Sequence, residues 1–167
     1  GGFANPDGWL ALQANAENSP LPIHGSAWQQ AWQVVEHSDN SALLRLDSHV
    51  PFAYVAEQRI RLHEGRLDIH LQVTHQADTP MWHGLGLHPY FPRLANTRLQ
   101  AGAQKVWECG SDSMPTQLSE LPADWTFAEP NELPERHTDN AFTNWNAQAS
   151  ILQPDAGYRL DISAEGC

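Results

Sequence analysis

The sequence predicts an all-β, antiparallel fold, and three observations support this. Apolar and polar residues alternate along several short segments, as they do in strands with one face toward a core. Turn signals rich in Gly, Pro and Asp separate these segments. The 12 prolines are scattered over the 167 residues, a distribution that long helices do not tolerate. We therefore expect one domain over residues 1–167.

The clearest local feature is a hairpin. Residues 66–75 alternate apolar with polar, and residues 59–63 do the same. Between them, Glu64 and Gly65 form a two-residue loop in which glycine supplies the positive φ. The predicted register places four apolar side chains on the core face, with Leu62 opposite Leu67 and Ile60 opposite Ile69.

The remaining elements follow from the same signals. Further alternating runs predict strands at residues 42–46, 97–101, 147–152 and 158–164. Pro154 to Gly157 predicts the turn before the last strand. Residues 27–35 fit either a short helix or a strand, since their apolar positions match both periods. Residues 111–138, rich in Pro, Ser and acidic residues, predict a long loop that lines a ligand site.

Charge and composition limit the partners. The net charge is −11 with His neutral, and only 9 Lys and Arg are present. We expect no nucleic acid and no anionic membrane as partner, because both require basic residues. No apolar run approaches the ~20 residues that cross a bilayer, and no leader peptide is visible, which predicts a cytoplasmic protein. Cys109 and Cys167 lack metal or disulfide spacing, so we expect reduced thiols.

Three polar residues stand in unusual sequence settings. His24 follows a short apolar stretch and precedes a glycine in residues 21–25 (LPIHG), and His88 lies in the stiff segment 84–92 (GLGLHPYFP). Asp139 lies in residues 138–142 (TDNAF). Two imidazoles and a carboxylate can share acid–base work on a hydroxyl-rich ligand. For any one of them, a buried and hydrogen-bonded structural role is the simpler explanation.

Aromatic residues suggest the nature of the ligand. The chain has 7 tryptophans, and flat aromatic rings cover the C–H faces of sugars while their polar atoms reach hydroxyls. Most of them are expected to fill the core. Trp82 and Tyr90, on either side of His88, are our candidates for contact with the ligand. Zincin and serine-hydrolase motifs are absent, and we expect no cofactor and no metal.

Taken in chain order, these segments resemble the aldose 1-epimerase (galactose mutarotase-like) family. The first histidine segment, 21–25, is similar to the family's first motif. Residues 81–93 (MWHGLGLHPYFPR) resemble the second and are the most specific match, and residues 139–142 with Trp145 resemble the third. The resemblance implies a β-sandwich of the galactose mutarotase (supersandwich) type, which we expect to be incomplete at both ends.

The resemblance also implies roles. The histidine matching His88 is the general acid on the ring oxygen, the one matching His24 assists it, and the aspartate matching Asp139 binds sugar hydroxyls. A family glutamate, usually in a Glu-Pro pair, accepts the anomeric proton. Glu129 precedes Pro130 but lies before Asp139, so the order is wrong, and we expect this chain to lack that base.

Two other functions stay open at this stage. A carbohydrate-binding β-sandwich without catalysis fits the tryptophan content equally well. A metal-dependent β-barrel enzyme of the cupin type is disfavoured, because the histidines lack the close spacing of such sites. The expected substrate is a free hexose such as galactose or glucose; the scarcity of basic residues argues against a sugar phosphate.

Overall fold

A computed structural model describes residues 2–5, 8–11, 14–15, 17, 22–111, 114–135 and 138–166. Leu21 and Cys167 lie outside the described residues. The fold is all-β and antiparallel, as predicted. The chain divides into two compact units, residues 1–88 and 89–167, each of which is described by itself. The single domain stays a prediction.

The first unit contains two sheets. A two-stranded sheet pairs β1 (Gly2–Asn5) with β2 (Gly8–Ala11). A four-stranded sheet follows chain order and consists of β3 (Gln33–His37), β4 (Ser41–Ser48), β5 (Tyr54–His63) and β6 (Arg66–His75). The ambiguous segment 27–35 becomes a 3-10 turn, Ala27–Gln29, followed by the start of β3.

The hairpin of β5 and β6 has the predicted register. Leu62 pairs with Leu67, and Ile60 pairs with Ile69. The predicted burial is wrong at this end of the sheet, since Leu62 and Leu67 are 53% and 57% exposed. The core covers the other end of the same face.

That core has three buried members on β4 and β5. They are Leu46, Tyr54 and Ala56, with Ala27, Trp32, Phe52 and Val73 packed against them. Residues before β3 and between β4 and β5 therefore cover only one half of the apolar face. The covered half includes Val73, near the end of β6. After β6 the chain continues into the segment that carries His88.

The second unit also contains two sheets. One has the strand order β10-β7-β12-β13, and the other has the order β11-β8-β9. The strands are β7 (Arg98–Ala101), β8 (Lys105–Cys109), β9 (Pro115–Glu120), β10 (Phe127–Glu132), β11 (Phe142–Thr143), β12 (Gln148–Gln153) and β13 (Tyr158–Ser163). The predicted turn is a 3-10 turn, Pro154–Ala156, that ends on Gly157 with φ of 69°. The strand predictions for 97–101, 147–152 and 158–164 are confirmed within a residue or two.

The predicted long loop at 111–138 is wrong. This segment contributes β9, which pairs with β8, and β10, which pairs with β7. Its prolines lie where strands accept them: Pro115 is the first residue of β9, and Pro130 falls in the register shift of β10. Polar composition predicted a loop because both strands are largely exposed and lack the alternation of a half-buried strand.

A buried glutamine fixes the start of the second unit. Gln153 is fully buried at the end of β12. Its Oε1 accepts a hydrogen bond from Thr97 Oγ1 at 2.6 Å, and its Nε2 donates to the carbonyl oxygen of Pro92. Buried amides require such partners. The segment just after Tyr90 is therefore bound to the sheet.

Candidate functional site

His24 lies in a left-handed turn. Its φ is 56°, and that of Gly25 is 70°. For a residue with a Cβ this conformation costs about 1 kcal/mol and persists only where the surroundings enforce it. The glycine noted in the sequence therefore supplies the second left-handed position, and the histidine occupies the first. Strain at a residue with acid–base capability is typical of functional sites.

Asn15 enforces this turn. Its Nδ2 donates to the carbonyl oxygens of Ile23 and Gly25 at 2.8 and 2.9 Å, and its Oδ1 accepts from the Ile23 N–H at 2.8 Å. Gln29 Nε2 in turn donates to the Asn15 carbonyl oxygen at 2.6 Å. One side chain thus binds the backbone on both sides of His24. Sequence reasoning missed Asn15, because a lone asparagine eight residues upstream carries no motif.

His88 lies beside His24. The two ring centroids are 4.9 Å apart with an interplanar angle of 68°, an edge-to-face arrangement. Trp28 contacts His24 from another side at 6.1 Å, and its Nε1 donates to the Ile23 carbonyl oxygen at 2.9 Å. Both histidines are exposed. The structure therefore brings two predicted site residues, 64 positions apart, into contact within the first unit.

Ser26 connects the His24 turn to the core. Its hydroxyl donates to the Val50 carbonyl oxygen at 2.7 Å and lies 2.9 Å from the Tyr54 hydroxyl. Tyr54 is a buried member of the sheet core. The turn therefore rests on β5 as well as on Asn15, which limits the positions that the His24 ring can take.

Trp82 and Tyr90 are both exposed. Trp82, in the first unit, is 68% exposed, and Tyr90, in the second unit, is 86% exposed. An exposed aromatic ring offers a flat apolar face together with a polar atom, the combination that a sugar can use. These rings are therefore open to a ligand.

Asp139 belongs to the second unit. The turn that carries it is fixed to β8: Asn140 Nδ2 donates to the Trp107 carbonyl oxygen at 2.8 Å, and the Trp107 N–H donates to the Ala141 carbonyl oxygen at 2.9 Å. The Asp139 side chain is exposed. Its convergence with His24 and His88 stays a prediction.

The second unit also contains an open cleft of about 550 Å³. The residues that line it include Arg93, Thr138 and Phe142, from the segments that contain the ends of two of the motifs. Arg93 Nη2 donates to the carbonyl oxygens of Leu133 and Pro134 at 3.1 and 3.0 Å. The guanidinium thus binds the backbone of two other residues that line the cleft, and Leu99 and Phe127 line it as well.

Among the described residues, no group of three or more His, Cys, Asp or Glu side chains is arranged to hold a metal ion. In the same part of the chain, no helix is long and apolar enough to cross a membrane.

Comparison with known proteins agrees with this architecture. The family model for aldose 1-epimerase matches residues 3–166. The "Uncharacterized protein YphB" of Escherichia coli (strain K12) is 36% identical over 151 residues, which are 89% of this chain and 52% of that protein. A crystal structure of a "Putative aldose 1-epimerase" from Escherichia coli K12 superimposes with a TM-score of 0.92 at 34% identity, covering 96% of this chain and 56% of the other.

The antiparallel all-β architecture and its superposition define a β-sandwich of the mutarotase type. This chain belongs to the aldose 1-epimerase family. It spans about half the length of the relatives that it matches.

Proposed function

We propose that this chain carries the acid and the sugar-binding groups of an aldose 1-epimerase that interconverts the α and β anomers of free hexoses. The contact between the His24 and His88 rings, at 4.9 Å, is the observation that carries the proposal. A monosaccharide placed against this pair meets two imidazoles at once. A protonated imidazole donates a proton and a neutral one can accept a hydrogen bond, so the two rings can play these two roles on one sugar.

The proposed reaction opens and recloses the sugar ring. His88 donates a proton to the ring oxygen as the C1–O5 bond breaks, and a base removes the proton of the anomeric hydroxyl. Rotation about C1–C2 and reclosure then give the other anomer. His24 and Asp139 bind hydroxyls, which holds the ring oxygen within reach of His88. Trp82 and Tyr90 cover the apolar face of the sugar.

The base is assigned to no residue of this chain. Glu129 lies in β10, where its side chain is exposed, and it precedes Asp139 in the sequence. The proposal therefore predicts that a small carboxylate from solution can take the place of the base. Such rescue works because a general base needs only to reach the anomeric hydroxyl with a suitable pKa.

Polarimetry of α-D-galactose and α-D-glucose tests this directly. We expect the chain alone to add little to the rate in buffer, and added acetate to produce a further increase that His88→Gln abolishes. The variant in the same acetate solution controls for catalysis by acetate itself. A large His88-dependent rate without added carboxylate would contradict the missing base, and no dependence on His88 under any condition would contradict the proposal.

A carbohydrate-binding module without catalysis is the second candidate, favoured by the exposure of Trp82 and Tyr90. In that case Trp82→Ala weakens hexose binding, whereas His88→Gln leaves both binding and anomer exchange unchanged. Equilibrium binding of methyl α-D-galactoside, whose anomeric centre is fixed, separates recognition from turnover.

A further inference from the structure

A second pair of histidines lies next to the candidate site. His75 is the last residue of β6, and His83 lies in the segment that leads to His88. His75 Nδ1 and His83 Nε2 are 3.0 Å apart, and His75 Nε2 is 2.9 Å from the Thr79 carbonyl oxygen. The bond between the rings joins a regular strand to a segment that has no regular secondary structure.

The partners of His75 determine where its protons are. The Thr79 carbonyl oxygen only accepts, so His75 Nε2 must be the donor there. In neutral His75 the Nδ1 atom then accepts, and His83 Nε2 donates to it. With one added proton, His75 Nδ1 donates to His83 instead. With two added protons, both facing nitrogens carry hydrogen, the bond is lost and the charges repel.

The pair packs against residues that also support the His24 turn. The Phe52 ring lies 5.0 Å from that of His83, edge to face, and the Tyr54 ring lies at 6.3 Å. Tyr54 in turn contacts Ser26, two residues after His24. Phe52 and Tyr54 therefore link the supports of the two histidine segments.

The titratable groups that face these rings are few. They are the two imidazoles themselves and the Tyr54 phenol of β5. Within the described part of the chain, no carboxylate, lysine or arginine hydrogen-bonds to either ring. Burial lowers the pKa of His83, and the nearby charge of His75 lowers it further. The two positive charges of the doubly protonated pair therefore face each other with no carboxylate of the described residues hydrogen-bonded to either ring.

We propose that His83 is a positioning residue: through its bond to His75 it holds the segment that carries His88 beside His24, and double protonation of the pair releases that segment. This positioning role for His83 rests on the proposed function of His88. The tether, meaning the bond from His75 to His83 that holds the following segment in place, does not depend on that function. With such a tether, the position of His88 depends on the protonation of the His75 and His83 pair. This pH dependence is separate from that of the His88 ring's own protonation.

15N relaxation of the backbone amides of residues 84–88 tests the tether without any sugar. We expect the order parameters of these amides in the wild type to be lower at pH 5 than at pH 7.5, falling toward about 0.6, the range of flexible backbone. His83→Gln keeps a donor and an acceptor near the position of Nε2 and does not titrate. Its order parameters should stay at the wild-type pH 7.5 level at both pH values.

Two further variants complete the design. His83→Phe keeps the contact with Phe52 and removes the bond, so the order parameters of residues 84–88 should be low at both pH values. His70→Gln, at an exposed histidine of the same strand β6, should behave like the wild type. If His83→Phe fails to fold, the comparison of His83→Gln with the wild type still tests whether the tether exists.

The outcomes separate the two proposals. Loss of pH dependence in His83→Gln together with its persistence in His70→Gln supports the tether. Unchanged pH dependence in His83→Gln overturns it. If the tether is supported while mutarotation shows no dependence on His88, the proposed function fails and the tether stands.

Discussion

At the scale of single residues, the conformation of His24 depends on a side chain that no motif contains. The φ of 56° at His24 is stabilised by three hydrogen bonds of Asn15 with the backbone of Ile23 and Gly25, two donated by its Nδ2 and one accepted by its Oδ1. The sequence identifies His24 and Gly25 as a pair, because glycine tolerates the left-handed region. It does not identify Asn15, because hydrogen bonds between residues eight and ten positions apart leave no periodic signal in the sequence.

Replacing Asn15 by Asp tests these hydrogen bonds. The carboxylate can still accept from Ile23 N–H, but it loses both donations and places its charge against two carbonyl oxygens. We expect a loss of about 2 kcal/mol in the free energy of unfolding, measured by urea denaturation, and a change in the NMR signals of the His24 ring.

Asn131→Asp is the matched control. The Oδ1 of Asn131 accepts a bond from the Glu132 N–H, an interaction that a carboxylate keeps, so its effect on stability should be small. Equal effects of the two substitutions would contradict a specific role for Asn15.

The pKa of His83 gives stability a pH dependence of defined sign. Burial, and then the charge of His75, place this pKa below the ordinary value of 6.5. The unfolded chain therefore binds the proton more tightly, so this contribution to stability is fully present above pH 6.5 and decreases as the pH falls below it. Urea denaturation at pH 7.5 and pH 5 should show this loss in the wild type and a smaller loss in His83→Gln.

Three aspartates titrate in a separate window. The pKa of Asp68 is lowered by hydrogen bonds from His63 and then Arg66, and those of Asp47 and Asp161 are lowered by comparable hydrogen bonds. Their contributions are lost only as the pH falls below about 3.8, the ordinary aspartate value. A decrease in the free energy of unfolding between pH 7.5 and pH 5 therefore does not come from these three aspartates.

At the scale of elements, the alternation of apolar and polar residues predicted which residues pair more accurately than it predicted which residues are buried. The hairpin of β5 and β6 has the predicted partners at every position named, because a two-residue loop with glycine fixes the register. The prediction of which face of the sheet is apolar was also correct. The prediction that the whole face is buried was wrong, since in the described residues the end near Leu46 is packed and the end near Leu62 is exposed. A period of two in the sequence identifies the apolar face of a strand. It does not show which part of that face another element covers.

Two leucines on this face provide a matched test. Leu46 is 4% exposed within the core, whereas Leu62 is 53% exposed at the other end of the sheet. We expect Leu46→Ala to cost about 3 kcal/mol and Leu62→Ala less than about 1 kcal/mol, both measured by urea denaturation of this chain. Equal costs would mean that the open end of the face is covered in solution.

Strands with few buried residues escaped prediction. β9 and β10 lie in a polar, proline-containing stretch and bury little besides Phe127. Their pairing with β8 and β7 is set by tertiary contacts, and their prolines occupy a strand start and a bulge. Local composition carries no information about such contacts.

At the scale of the whole molecule, family membership followed from the order of three short motifs rather than from any one residue. The match over residues 3–166 and the TM-score of 0.92 confirm that inference for the fold. The contact between His24 and His88 adds what motif order could not supply, namely that two of the three motifs meet in space. The strongly acidic charge of −11 remains consistent with a neutral ligand.

The proposed function requires that one monosaccharide binds to the His24 and His88 imidazoles and, as we propose, to the carboxylate of Asp139. NMR titration of the histidine ring signals with D-galactose and D-glucose measures this most directly. We predict concerted, saturable shifts of the His24 and His88 signals with one apparent dissociation constant, weakened at least tenfold in Asp139→Asn, while the His70 signal stays constant. Shifts that are absent, that do not saturate, or that are unaffected by Asp139→Asn would contradict the shared site.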